Sequence, residues 1–211
     1  MIFSSAYLPP IEFFIYASRF DKIYIEACEN FVKQTYRNRC CIYSANGKLD
    51  LIITLEHCRK NRLPLKDVKI SYTMPWQKMH WRAIESAYNK SPFFLYYQDY
   101  FEKYYTTKFR WLLDFNNELM QECFRLLKLY VCTIETSTYK KDYPQETDMR
   151  YAINPREKTA MHFKEYSQVF TYKCGFIPNL SIVDLLFNKG PESKDYLRSI
   201  NLDIQSGHGA Y

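Results

Sequence analysis

Two apolar segments flank Asn46-Gly47, Cys40 to Tyr43 before it and Leu49 to Leu55 after it. Asparagine and glycine both tolerate the left-handed backbone that a two-residue turn demands, so this dipeptide between apolar segments predicts an antiparallel hairpin. A turn centred on the two residues sets Ile42 opposite Leu51 and Cys40 opposite Ile53 on one face, with Asn38 opposite Leu55 beyond them. The other face then pairs Tyr43 with Asp50, Cys41 with Ile52, Arg39 with Thr54 and Arg37 with Glu56. Upstream, a short apolar run ends at Tyr7, and Pro9-Pro10 opens a helical spacing of Ile11, Phe14, Ile15 and Ala17. Ile23, Ile25 and Ala27 then alternate with Tyr24 and Glu26 as in a strand. Strand, helix and strand in this order begin a βαβ unit.

Beyond the hairpin the pattern turns helical. Val68 and Ile70 alternate within a short candidate strand at 65–72, after which Pro75 opens a helix. Trp76, His80, Ala83, Ile84, Ala87 and Tyr88 mark one face of that helix. Ser91-Pro92 stops it, residues 93–105 continue helically, 112–130 form the longest helix, and 131–134 read as a strand returning to the sheet. Ser181 to Asp184 has the form of a capping box ahead of Leu185, Leu186 and Phe187, and Gly190-Pro191 ends that helix. The expected fold class is α/β, with a mixed α+β arrangement as the alternative: a βαβ-like N-terminal unit and a hairpin in a mixed sheet, then a mainly helical region and a C-terminal helix. A chain of 211 residues suits a single domain over 1–211. Residues 135–161 have few apolar positions, and a connection of that length predicts a lid or mobile loop.

Composition excludes several classes. With 47% hydrophobic and 25% charged residues the chain is neither disordered nor fibrous. No apolar run reaches the roughly 18 residues of a membrane span, and the N-terminus lacks a basic segment ahead of an apolar one, so a cytoplasmic protein is expected. Seven scattered cysteines without a CxxC spacing are expected to be reduced and mostly buried. The net charge of +6 suits an anionic small molecule and falls short of a nucleic-acid patch, so nucleic-acid binding is disfavoured. Glycine-rich phosphate loops, GxSxG and paired metal-ligand spacings are missing; no metal is expected and no cofactor is indicated.

Three groups of residues carry candidate chemistry. Gln34, Arg37, Asn38 and Arg39 concentrate donors just before the hairpin. If the chain is extended there, Lys33, Arg37 and Arg39 project to one side, where guanidinium forks grip a phosphate or carboxylate. The alternative is a solvated strand face with Arg37 paired to Glu56, a pairing worth little energetically. His80 lies on the apolar stripe of its helix, where burial tunes its pKa; it is a candidate general base, against the alternative of a core histidine. Tyr96, Tyr97 and Asp99, amid many rings, are candidates for packing a sugar and binding its hydroxyls, against the alternative of a core stripe with an exposed carboxylate.

AYLPPIEFF near the start, KQTYRNRC before the hairpin, MPWQKMHWRAIESAYNKSPFFLYY, and GFIPNLSIVDLLFNKGPE near the end resemble the WbqC-like family, in the family's order and over nearly the whole chain. That family is associated with O-antigen and other surface-polysaccharide gene clusters of bacteria, with a glycine transferase role suggested for some members. The resemblance implies a transferase that attaches an acyl or aminoacyl group to an activated sugar. It supplies no residue roles. Tyr7, Gln34 and Trp81 lie within the matching blocks and join Arg37, Arg39, Tyr96, Tyr97 and Asp99 as ligand-binding candidates. His80 is the candidate proton acceptor and Asn38 a candidate donor to a developing oxyanion. The competing expectation is a non-catalytic module that holds a nucleotide sugar or polysaccharide intermediate for a partner enzyme.

Overall fold

A computed structural model describes residues 1–56, 63–144, 147–157 and 159–202. The chain opens as β1 (Ile2–Ser4), α1 (Ile11–Ala17) and β2 (Lys22–Glu26), the βαβ start that the alternation predicts. Pro10 caps α1 in an extended conformation, where its missing N–H costs the helix nothing. Six of the seven residues of α1 are buried, so this helix lies inside the molecule, as an all-round apolar helix must.

The hairpin follows as β3 (Arg39–Ser44) and β4 (Gly47–Ile52), a two-stranded sheet of its own. Its register differs from the expected one by two residues: Cys40 faces Leu51 and Ile42 faces Leu49. Gly47 has φ +94°, but Asn46 stays out of the left-handed region, so Ala45-Asn46 forms the turn and Gly47 pairs with Ser44. A slip of two keeps every side chain on its expected face, and Cys40, Ile42, Leu51 and Ile53 are all buried.

Residues 65–72 form no strand. Leu65–Asp67 is a 3-10 turn, because the Leu65 and Lys66 amides donate to the carbonyls of Glu29 and Ala27 instead of to a ladder. Three helices follow, α2 (Trp76–Tyr88), α3 (Phe94–Thr106) and α4 (Leu112–Leu126). The last ends four residues before its expected limit, where Lys128 takes φ 54° and turns the chain into β5 (Cys132–Glu135). After α5 (Thr171–Cys174), α6 (Ile182–Lys189) and α7 (Ser193–Ser199) close the described chain. The capping box at α6 does not form. The Ser181 hydroxyl donates to the Leu8 carbonyl, and Asp184 accepts from Tyr166 and Gln168 instead.

The larger sheet is parallel throughout, in the order β1-β2-β5. Residues 147–149 run parallel to β1 along its other edge: the Ile2 amide donates to the Thr147 carbonyl and the Met149 amide to the Ile2 carbonyl. A single apolar core draws on residues from Phe3 to Ile200. Among the described residues no helix is long and apolar enough to cross a membrane. Of the described cysteines, all free, only Cys40 and Cys123 are buried, while Cys132 and Cys174 are exposed; the expectation of mostly buried thiols is corrected accordingly. Cys58 lies outside the described residues.

Candidate functional site

Chain succession reverses direction at β1. Its crossover through α1 leads to β2 on one side, whereas residues 147–149 return to the opposite edge. Such a reversal leaves a crevice outside the carboxyl ends of parallel strands, the place where open α/β sheets bind ligands. Here the crevice is lined by Ser4, Ser5, Tyr36, Arg37, Met149 and Arg150, among others, and its enclosed space of about 20 Å³ admits one water-sized group.

Two arginines build its polar wall. Arg37 is 4% exposed. Its Nε and Nη2 donate to the two Glu29 carboxylate oxygens at 3.0 and 2.6 Å, and Nη2 also donates to the Ser4 hydroxyl at 2.7 Å. Nη1 makes no hydrogen bond among the described residues. The Ser4 hydroxyl donates in turn to the Arg150 carbonyl at 2.9 Å, which ties the two arginines together. Arg150 is almost wholly buried, and its guanidinium is fully engaged: it bonds Asp148 at 2.9 and 2.6 Å, Glu26 at 3.3 Å, and the carbonyls of Lys140 and Lys141. Burial alone would raise the Asp148 pKa, but the hydrogen bonds and charge of Arg150 outweigh it and hold the carboxyl below its ordinary range. Arg150 therefore ties Lys140, Lys141 and Asp148 to the sheet end, and Arg37 keeps Nη1 unpaired among the described residues.

Met149 also lines a wider cleft of about 710 Å³, together with Glu12, Asn154, Thr159, His162 and Lys164 among others. That volume is typical of a small-molecule site. Glu12 stands in the first turn of α1 and is 9% exposed. The Thr159 hydroxyl donates to its Oε1 at 2.8 Å and the Asn179 amide to its Oε2 at 2.9 Å. Asn179, at φ 54°, also accepts from the Glu12 backbone amide at 2.9 Å. Burial raises the Glu12 pKa, and the two side-chain bonds offset only part of that.

The residues singled out from sequence do not converge. Gln34 takes φ 61° and residues 33–38 turn and bend, so the extended stretch that was to align Lys33, Arg37 and Arg39 does not exist. Arg37 enters the crevice wall and pairs with Glu29, not Glu56, whereas Arg39 stays on the hairpin and bonds Asp50 at 3.1 Å. Gln34 is exposed and meets Arg156. The Asn38 amide donates to the Ile53 carbonyl, tying the hairpin's base. Tyr7 and His80 do meet, but inside the core: the Tyr7 hydroxyl lies 3.1 Å from His80 Nδ1 and 2.8 Å from the Tyr105 hydroxyl. His80 is 6% exposed and lines neither cleft, and burial pulls its pKa down to about 4, against which a hydrogen bond at Ile52 works. Trp81 stacks on Tyr105 and Phe94 within the same core. On α3, Tyr96 is 74% exposed, Asp99 is exposed and Tyr97 packs partly against the core, all away from the groove lining. His57 and His208 lie outside the described residues. Among the described residues no cluster of metal-ligating side chains occurs.

Ser4, Glu12, Glu26, Glu29, Asp148, Arg150 and Thr159 escaped the sequence reading. Glu12, the one carboxylate in the run IEFFIYA, was the visible signal; Arg150 gave none.

The fold and crevice define an α/β protein with a parallel sheet, an antiparallel hairpin and a crevice at the strand ends. The model of the WbqC-like protein family matches residues 4–159 and 155–196, and the chain belongs to that family. It is also similar to a Mycobacterium tuberculosis (strain ATCC 25618 / H37Rv) protein described as "Uncharacterized protein Rv1507c", at 24% identity over 93% of this chain and 96% of that one. No solved structure matches.

Proposed function

We propose that this protein transfers a small acyl or aminoacyl group, glycine among the candidates, to an activated sugar in the synthesis of O-antigen or another surface polysaccharide. The activated sugar lies in the groove along α1. Arg37 carries the reading: its Nε and Nη2 are held by Glu29 and Ser4, which leaves Nη1 as a fixed donor at the narrow end. A guanidinium oriented by a carboxylate presents that donor to a phosphate or carboxylate oxygen without further ordering cost. The wide end has the volume for the rest of the ligand. Family membership supports the reaction class.

Thermal shift against nucleotide sugars, acyl-CoA, amino acids and aminoacyl-adenylate analogues tests the site. One class is expected to stabilise the protein, by about 2.7 kcal/mol at 100 times its Kd. Arg37→Lys keeps the charge and loses the fork, so it should remove most of that shift while the unliganded melting curve stays cooperative. An undiminished shift in this variant would overturn the assignment.

A module that binds the activated sugar for a partner enzyme is the second reading, and the burial of His80 favours it, because the expected base is out of the groove. Binding without transfer to a labelled sugar under any donor of the panel selects the module.

A further inference from the structure

We propose that the wide cleft is the acceptor subsite and that Glu12 receives there the primary ammonium of an aminated sugar phosphate; this rests on the transferase reading above. Glu12 is an acidic side chain kept nine-tenths buried, yet its partners are a hydroxyl and an amide, with no cation paired to it among the described residues. Among the described residues this carboxylate is thus desolvated without a counter-charge, a costly state, and a ligand ammonium would supply one. Its orientation is fixed from both sides. Asn179 grips the backbone amide and Oε2 together, and Thr159 holds Oε1. Each carboxylate oxygen accepts more than one hydrogen bond, so capacity remains for an ammonium, which brings three donors. Lys164 lines the same cleft and adds a cation to the Arg37 donor that takes the phosphate of such a ligand. Amine and phosphate together select an aminated sugar phosphate over a neutral sugar.

The test compares glucosamine 1-phosphate with glucose 1-phosphate, which differ by the amine alone, titrated into isotope-labelled full-length protein. The amine compound should bind about tenfold more tightly and move the amide resonances of Asn154 and Thr159. Glu12→Gln, which keeps the side chain's shape, should abolish the preference. Equal binding of the two compounds, shifts confined to other regions, or an undiminished preference in Glu12→Gln each overturn the proposal. The wild-type comparison and its map decide the matter even if Glu12→Gln fails to fold. Loss of the amine preference while nucleotide sugars still shift the wild type through Arg37 removes this subsite alone; absence of both kinds of binding removes the transferase reading with it.

Discussion

Arg37 and Arg39 stand two positions apart in sequence and differ in almost everything that matters energetically. Arg37 and Glu29 are both nearly inaccessible, whereas Asp50, the partner of Arg39, is largely solvated. Arg37→Ala would strand the Glu29 carboxylate in the interior, and its expected cost is about 3–5 kcal/mol. Arg39→Ala, by contrast, should cost no more than about 1 kcal/mol. Urea denaturation of both variants checks the contrast, and equal midpoints would contradict it. Gly190 offers a second prediction. Its φ is +54°, and a Cβ built there would meet the Phe93 ring at 2.4–2.6 Å. Gly190→Ala combines that overlap with a strained backbone, so a loss of at least about 1–3 kcal/mol is expected in the same measurement. Sequence could assign such residues a type but not a setting: Glu26 alternates as an outward strand residue, yet it is fully buried because β2 ends there under Arg150.

At the scale of elements, α2 buries His80 and α6 buries Asp184, and the two respond to pH in opposite senses. Burial lowers the pKa of His80 on α2 from 6.5 to about 4. The stability tied to its neutral form is present above pH 6.5 and is lost as pH falls through 4. Burial raises the pKa of Asp184 on α6 from 3.8 to about 6, against hydrogen bonds from Tyr166, Gln168 and Tyr88. Its contribution is present below pH 3.8 and is lost as pH rises through 6. Each amounts to about 3 kcal/mol at roughly 1.36 kcal/mol per unit, so the two largely cancel in the wild type. Relative to wild type, His80→Gln should gain stability toward pH 4, and Asp184→Asn should gain it toward neutrality. Melting temperatures across pH 4–7 check this; parallel curves for the three proteins would contradict it. The helix and the hairpin were legible in sequence, since the Trp76-His80-Ile84 spacing and the Asn46-Gly47 dipeptide pointed to them. The hairpin's exact register and the 3-10 turn at 65–67 were not, because contacts with the 27–29 loop and the backbone angle of Asn46 decide them.

Across the whole molecule, the groove exists because residues 147–149 return to the free edge of β1. That return joins segments more than a hundred residues apart, and no local pattern announces it, so the aromatic stripe of α3 drew the sequence reading away from the strand ends. The α/β class and the family were readable from the βαβ start and the matching blocks. The groove was not: of the residues expected to bind ligand, only Arg37 lines it. The most direct test titrates uridine diphosphate glucose into isotope-labelled protein and maps the amide shifts. The account predicts perturbations at Ser4, Ser5, Met149 and Thr159, on both sides of the groove. Perturbations confined to Tyr96 and Tyr100 on α3, or none at all, would contradict it.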